Sequence, residues 1–125
     1  MFHNFGYEVA TILKDAEKIR FELRHPYVGT EHLLLAILKS DNEVSNIFRE
    51  YDLTYESFLE ELLGAVGQAS REQELNLYTP MLKRVIEIAS IDASENNKGV
   101  VTPSHLLLGI FEEGEGIAFR ILLSL

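Results

Sequence analysis

Apolar residues recur at every third or fourth position along most of this chain, which is the spacing of a helix with one buried face. The first such segment contains Val9, Ile12, Leu13, Ala16, Ile19 and Leu23. Pro26 ends the pattern, because a residue that precedes proline disfavours helical geometry. The spacing therefore predicts a first helix that stops shortly before Pro26.

A second segment begins near Gly29 or Thr30 and is apolar on nearly all sides from Leu33 to Leu38. A surface helix keeps one polar face, so this pattern is typical of a helix that lies in the centre of a fold. Residues 40–51 and 54–63 then show two more helical patterns. The capping-box spacing of Ser40 and Glu43 predicts the start of the third helix, and Thr54 predicts the start of the fourth.

The second half of the chain repeats the first half. An offset of 73 residues aligns residues 5–52 with residues 78–125 without a gap. Eight aligned pairs are identical: Ala16/Ala89, Glu22/Glu95, Val28/Val101, His32/His105, Leu33/Leu106, Leu34/Leu107, Leu35/Leu108 and Ile37/Ile110. This copy predicts a fifth helix after Thr79-Pro80, a sixth after Thr102-Pro103 and a seventh from Ile117, with threonine hydroxyls capping the first two.

The predicted fold class is all-α, with about seven helices in two tandem four-helix-type repeats related by a pseudo-twofold axis. We expect a single domain over residues 1–125, made of repeat one (1–63), a polar connector (64–77) and repeat two (78–125). The second repeat contains no counterpart of the fourth helix, which would end before Gly64. Both central helices are expected to be buried where the repeats join.

Composition excludes several classes of protein. The chain has no cysteine, so it forms no disulfide or thiolate metal site, and a cytoplasmic location is the default expectation. Its apolar runs are far shorter than the roughly 20 residues that span a bilayer, and no signal peptide is expected. The net charge of −9 argues against a nucleic-acid partner, because such proteins neutralise phosphates with Lys and Arg.

His32 and His105 occupy equivalent positions in the first turns of the two central helices. Neither has a second metal ligand three or four residues further on. We expect both rings to bond to the backbone near the boundary between repeats, and we predict no catalytic residue and no metal site. A small hydrolase or metal protein that uses Glu31, His32 and His105 remains a rival hypothesis.

Glu31 lies in the first turn of the first central helix, whose unpaired N–H groups favour anions. A carboxylate beside such groups forms a corner that can hold a ligand of mixed charge. The alternative is that Glu31 only complements the helix dipole. Ser104 takes the equivalent position in the second repeat, so that corner has no carboxylate from this position.

Four segments of the chain resemble a known family: VGTEHLLLAIL from Val28, YTPMLKRVIEIA from Tyr78, VTPSHLLLGI from Val101 and EEGEGIAFRIL near the C-terminal end. Together with the duplication they are similar to the Clp N-terminal domain, which precedes the ATPase modules of Clp-type AAA+ unfoldases. The ClpC branch is the most similar. The resemblance covers essentially the whole chain.

This resemblance implies a chaperone-associated recognition domain without enzymatic activity or a cofactor of its own, ATP being bound elsewhere in the parent protein. Its partners would be adaptor proteins, protein substrates destined for degradation, and the Clp ATPase ring, with no nucleic acid or membrane involved. An alternative is a free-standing Clp-N-like accessory protein that docks on a Clp complex and regulates it.

In ClpC-like members the Glu of the G-T-E-H motif meets the guanidinium of phosphoarginine, while helix-terminus groups hold the phosphate. By resemblance this role falls on Glu31, with Thr30 as a neighbour. Ser104 departs from the pattern and puts a second pocket in doubt. The family domain normally closes with an eighth helix before its ATPase modules, so the chain is expected to be a fragment or a truncated domain.

Overall fold

The computed structural model describes residues 5–67, 75–96 and 99–125. Within these ranges the chain forms seven helices: α1 (Gly6–Leu23), α2 (Thr30–Lys39), α3 (Glu43–Arg49), α4 (Tyr55–Val66), α5 (Pro80–Asn96), α6 (Pro103–Glu113) and α7 (Ile117–Ser124). The described ranges contain no strand, and one isolated parallel bridge joins Val28 to Tyr78. The prediction of an all-α fold is therefore confirmed. None of the described helices is long and apolar enough to cross a membrane.

Most helices begin where the sequence places them. The hydroxyls of Thr54, Thr79 and Thr102 each accept a hydrogen bond from a backbone N–H in the following turn, at 3.2, 3.1 and 3.4 Å. These bonds satisfy N–H groups that have no partner inside the helix. The first helix ends at Leu23 before Pro26, as predicted.

Two predicted helix boundaries are wrong. The cap of α3 is Asn42 rather than Ser40, because the Asn42 Oδ1 accepts the N–H groups of Val44 and Ser45, both at 2.9 Å. The end of α4 is Val66 rather than the residue before Gly64, and Gly67, with φ of 69°, terminates it. The predicted connector therefore begins with three residues of helix, and its residues 68–74 lie outside the described ranges.

The centre of the fold is α2. Its side chains from Leu33 to Ile37 are completely buried. This helix packs against each of the other six, three from its own repeat and three from the second. The prediction of a central buried helix is confirmed for the first repeat.

Helix packing follows the predicted pseudo-twofold relation. The pair α1/α2 of the first repeat corresponds to α5/α6 of the second, and both pairs pack along their lengths. Across the boundary, α2 packs against α7 and its counterpart α6 packs against α3. Each central helix thus supplies part of the core of the opposite repeat.

The prediction that both central helices are buried is wrong for part of α6. Leu108 and Phe111 are 47% and 43% exposed, whereas their counterparts Leu35 and Leu38 are 0% and 6% exposed. The physical reason is the unequal number of helices. In the first repeat α4 packs on α2, and the described residues contain no helix that takes the same place on α6.

Gly109 marks the closest approach of α5 and α6. A Cβ atom at this position would lie 2.7 Å from the Val85 carbonyl oxygen. We expect Gly109→Ala to destabilise the domain by about 1–3 kcal/mol through overpacking, against about 1 kcal/mol gained from alanine's helix propensity.

Gly64→Ala is the matched control for this prediction. Gly64 lies inside α4, and a Cβ atom there would meet nothing within 4 Å. We expect this change to stabilise the domain by about 1 kcal/mol. Urea unfolding of both variants measures the difference, and equal effects of the same sign would contradict the close packing of α5 and α6.

Candidate functional site

Two polar corners lie where the repeats meet, and each is formed by the starts of two helices. In the first corner, formed by α2 and α7, the Thr30 Oγ1 accepts the backbone N–H of Ala118 at 3.2 Å. A Cβ atom on Gly116 would lie 2.6 Å from this Oγ1, so only glycine permits the approach. The N–H of Gly116 itself donates to the Glu113 Oε1 at 3.0 Å.

The second corner, formed by α6 and α3, has a different chemistry. The backbone N–H and the hydroxyl of Ser104 both donate to the Glu43 Oε2, at 3.3 and 3.0 Å. By the repeat offset, Ser104 corresponds to Glu31 and Glu43 corresponds to Gly116. A carboxylate from the opposite repeat therefore occupies the start of α6 in the second corner. In the first corner the α7 side carries the Glu113 carboxylate, which accepts the Glu115 and Gly116 N–H groups just before α7.

The carboxylate of Glu31 is folded back over Gly29 at the start of α2. The missing side chain of Gly29 provides the space, since a Cβ atom there would overlap the Glu31 carboxylate. The Glu31 side chain is only 12% exposed. Burial raises its pKa, and its own backbone N–H and the nearby His25 oppose that rise. Thr30, Glu31 and Gly116 thus share the first corner, and Ser104 lies in the second.

A chain of hydrogen bonds behind Glu31 connects two histidine rings. The Gly29 N–H donates to the His32 Nδ1 at 2.9 Å, so this nitrogen carries no proton. The proton of neutral His32 is therefore on Nε2, which lies 2.8 Å from the His25 Nδ1 and donates to it. The remaining proton of His25 is on Nε2 and bonds to the Gly67 carbonyl oxygen at 2.9 Å.

The prediction that both repeated histidines bond to the backbone is confirmed. The His105 Nδ1 accepts the Thr102 N–H at 3.0 Å, just as His32 accepts from Gly29. No pattern in the sequence indicates that His25 bonds to His32, because the other partner of His25 is a backbone carbonyl 42 residues away. The rival hypothesis required Glu31, His32 and His105 to lie together, and they do not. The residue that lies beside Glu31 and His32 is His25.

His25, Glu31 and His32 form the one cluster in the described ranges whose ligand atoms lie close enough to bind a metal, within 4.8 Å of one another. As they stand, however, the ring nitrogens are used by the hydrogen bonds just described. A metal between the two rings would have to replace their shared proton. The cluster is therefore a hydrogen-bonded unit and not a prepared ligand set.

Arg20 is a further buried polar residue that the sequence reasoning missed. Its guanidinium lies beside this unit, with Nη1 3.5 Å from the His25 carbonyl oxygen and Nη2 bonded to the Asn76 side chain. The usable signal was its position in α1, on the face that carries Ala16 and Leu23. A long charged residue on an apolar face is expected to have buried partners.

These features define a duplicated all-α domain, and known proteins are similar to it in sequence and in fold. The family model for the Clp repeat (R) N-terminal domain matches residues 4–125. The ATP-dependent Clp protease ATP-binding subunit ClpC of Staphylococcus saprophyticus subsp. saprophyticus is 31% identical over 115 residues. That match covers 91% of this chain and 14% of the ClpC subunit.

Solved structures agree on the fold. The N-terminal domain of the caseinolytic protease associated chaperone ClpD from Arabidopsis thaliana is 22% identical, with a TM-score of 0.81, and the match covers 99% of this chain and 86% of that one. A ClpV N-domain in complex with a VipB peptide is 16% identical, with a TM-score of 0.78 and coverage of 99% and 78%. The chain belongs to the Clp repeat (R) N-terminal domain family.

The first corner also makes a testable contribution to stability. Thr30→Val keeps the shape of the side chain but leaves the buried Ala118 N–H without its acceptor. We expect a loss of about 1–3 kcal/mol, the usual cost of an unsatisfied buried group. Ser104→Ala is the control, because its bonds to Glu43 are near the surface, and we expect it to change stability by less than about 0.5 kcal/mol. Denaturant unfolding measures the free energy of unfolding of both variants, and equal losses in Thr30→Val and Ser104→Ala would contradict the prediction.

Proposed function

We propose that this chain is the adaptor- and substrate-recognition domain of a ClpC-like ATP-dependent unfoldase, with no catalytic activity and no cofactor of its own. The observation that carries the proposal is the match to ClpC, which covers almost all of this chain but only 14% of the subunit. A domain-sized match of this kind suits a module that serves a larger ATPase. The ClpV N-domain complex supports peptide recognition as a role for this fold.

The proposed partners are adaptor proteins, unfolded or marked protein substrates, and the Clp ATPase ring in the cytoplasm. The net charge of −9 favours partners with basic surfaces.

Deleting residues 5–125 from the protein that carries this domain should abolish adaptor-dependent degradation while basal ATP hydrolysis persists. Adaptor-dependent degradation that continued without the domain would contradict the proposal.

The first corner is the proposed pocket for phosphoarginine on marked substrates. Two helices start there, and their dipoles, with the N–H groups not already bonded to Thr30 or Glu113, favour the phosphate. The Glu31 carboxylate, next to the start of α2, would accept paired N–H groups from the guanidinium. Rotation of its flexible side chain away from Gly29 brings the carboxylate into the corner, and a guanidinium there compensates for its burial.

We propose one pocket rather than two. In the second corner Ser104 replaces the glutamate, and the Glu43 carboxylate already accepts the N–H and O–H groups of Ser104. A phosphate would have to displace this carboxylate, and the two negative charges would repel each other. Thr30 in the first corner positions α7 through Ala118.

We expect Glu31→Gln to weaken binding of a phosphoarginine peptide by tenfold or more, because the charge-assisted bonds to the guanidinium are worth about 1.5–3 kcal/mol. Ser104→Ala should leave the affinity unchanged, and an unphosphorylated peptide should bind weakly to every variant. Calorimetric titration with circular dichroism of each variant provides the measurement. Equal affinity of wild type and Glu31→Gln would remove the pocket while leaving the recognition role open to its own test.

A further inference from the structure

The pair His25 and His32 connects three parts of the backbone that are distant in sequence. His25 lies in the loop between α1 and α2, His32 in the first turn of α2, and Gly67 directly after α4. The hydrogen bonds run from the Gly29 N–H through both rings to the Gly67 carbonyl oxygen, at 2.9, 2.8 and 2.9 Å. The His32 ring is completely buried. In the described part of the chain, these hydrogen bonds connect the residue after α4 to the α1–α2 loop.

Each ring in this chain can carry one proton only. A second proton on His32 would sit on Nδ1 and face the Gly29 N–H. A second proton on His25 would also sit on Nδ1 and face the Nε2–H of His32. Two N–H donors that point at each other repel and leave both without an acceptor. Protonation of either ring therefore breaks the chain.

The charges around the pair also oppose protonation. Arg20 of α1 brings a buried cation to the His25 carbonyl oxygen. The facing acid is Glu31, whose Oε2 lies 4.0 Å from the His32 Nδ1 and whose charge acts in the opposite direction. Burial, with smaller contributions from His25 and Arg20, lowers the pKa of His32 to about 3. In the closed arrangement His32 thus excludes the proton that a solvent-exposed histidine accepts near pH 6.5.

We propose that His25 and His32 form an acid-sensitive latch: the neutral pair holds the end of α4 against the α1–α2 loop, and protonation of the pair releases it. This regulation is independent of any ligand and goes beyond the proposed recognition role. The latch opens more often as the pH falls, and what it frees is the Gly67 carbonyl at the junction between the repeats.

The direction of the pH effect follows from linkage. The open state takes up a proton below about pH 6.5, while the closed state resists it down to a pKa of about 3. The latch is therefore fully effective above about pH 6.5 and is lost as the pH falls towards 3. Between pH 7 and pH 5 the opening equilibrium should rise by about twentyfold. Glu31, whose pKa is raised, takes up its proton more readily in the closed state and opposes part of this rise.

Amide hydrogen exchange by NMR measures the opening directly. The Gly67 N–H donates to the Leu63 carbonyl oxygen at 2.9 Å and reports on the last turn of α4. We expect its protection factor, corrected for the intrinsic pH dependence of exchange, to fall by tenfold or more between pH 7 and pH 5. A protection factor that is the same at both pH values would overturn the latch.

His32→Asn removes the connection to His25, and its amide oxygen can still accept the Gly29 N–H. In this variant we expect low protection of Gly67 at both pH values. His105→Asn is the matched control, because His105 caps α6 in the same way through Thr102 and its repeat counterpart of His25 is Lys98. The control should keep the pH dependence of the wild type. A pH dependence in His32→Asn as large as in the wild type would refute the latch.

The ring nitrogens of the wild type give a second measurement that needs no variant to fold. Nitrogen-15 spectra at pH 7 should show Nδ1 without a proton in both His25 and His32, and His32 should remain neutral at pH 5. A proton on either Nδ1 at pH 7 would overturn the proposal.

Discussion

The burial of α2 is the constraint on which the rest of this structure depends. A helix of ten residues with apolar side chains on every side must be surrounded completely, because each exposed leucine would forgo roughly 1.5–3 kcal/mol of transfer free energy. The first repeat alone provides α1, α3 and α4 as neighbours, and the second repeat provides α5, α6 and α7. The duplication is thus a structural requirement, and the two repeats share one core.

Enclosing α2 in this way also brings the starts of helices close together at the boundary between the repeats. The starts of α2 and α7 meet in one corner and the starts of α6 and α3 in the other, and like ends of helix dipoles repel. In the first corner the Thr30 hydroxyl accepts a backbone N–H from the opposite repeat, and in the second corner the Glu43 carboxylate does the same. The polar groups that line these corners are therefore the same groups that hold the repeats together.

The sequence predicted those parts of the structure that depend on local spacing. The helical period and the Thr-Pro helix starts are recognised from the spacing of a few neighbouring residues. The duplication is recognised from one constant offset between the copies. The role of His25 was not predicted, because its partners are the His32 ring and the Gly67 backbone carbonyl. Every residue has a backbone carbonyl, so the sequence does not show which one accepts a hydrogen bond. The exposure of Leu108 and Phe111 was not predicted for a similar reason, since equivalent apolar residues are buried or exposed according to the neighbours that three-dimensional packing supplies.

Under the proposed function, the unequal corners would determine how many marks one domain can bind. Under the proposed function, a domain with one open corner captures one mark at a time, and a substrate with many marks gains little from binding twice to the same copy. A second open corner would turn the second contact into an intramolecular event and multiply the affinity for densely marked chains by avidity. Glu43, which fills the second corner, would keep the single domain monovalent under that proposal, so that any preference for densely marked substrates would have to come from several copies of the domain acting together.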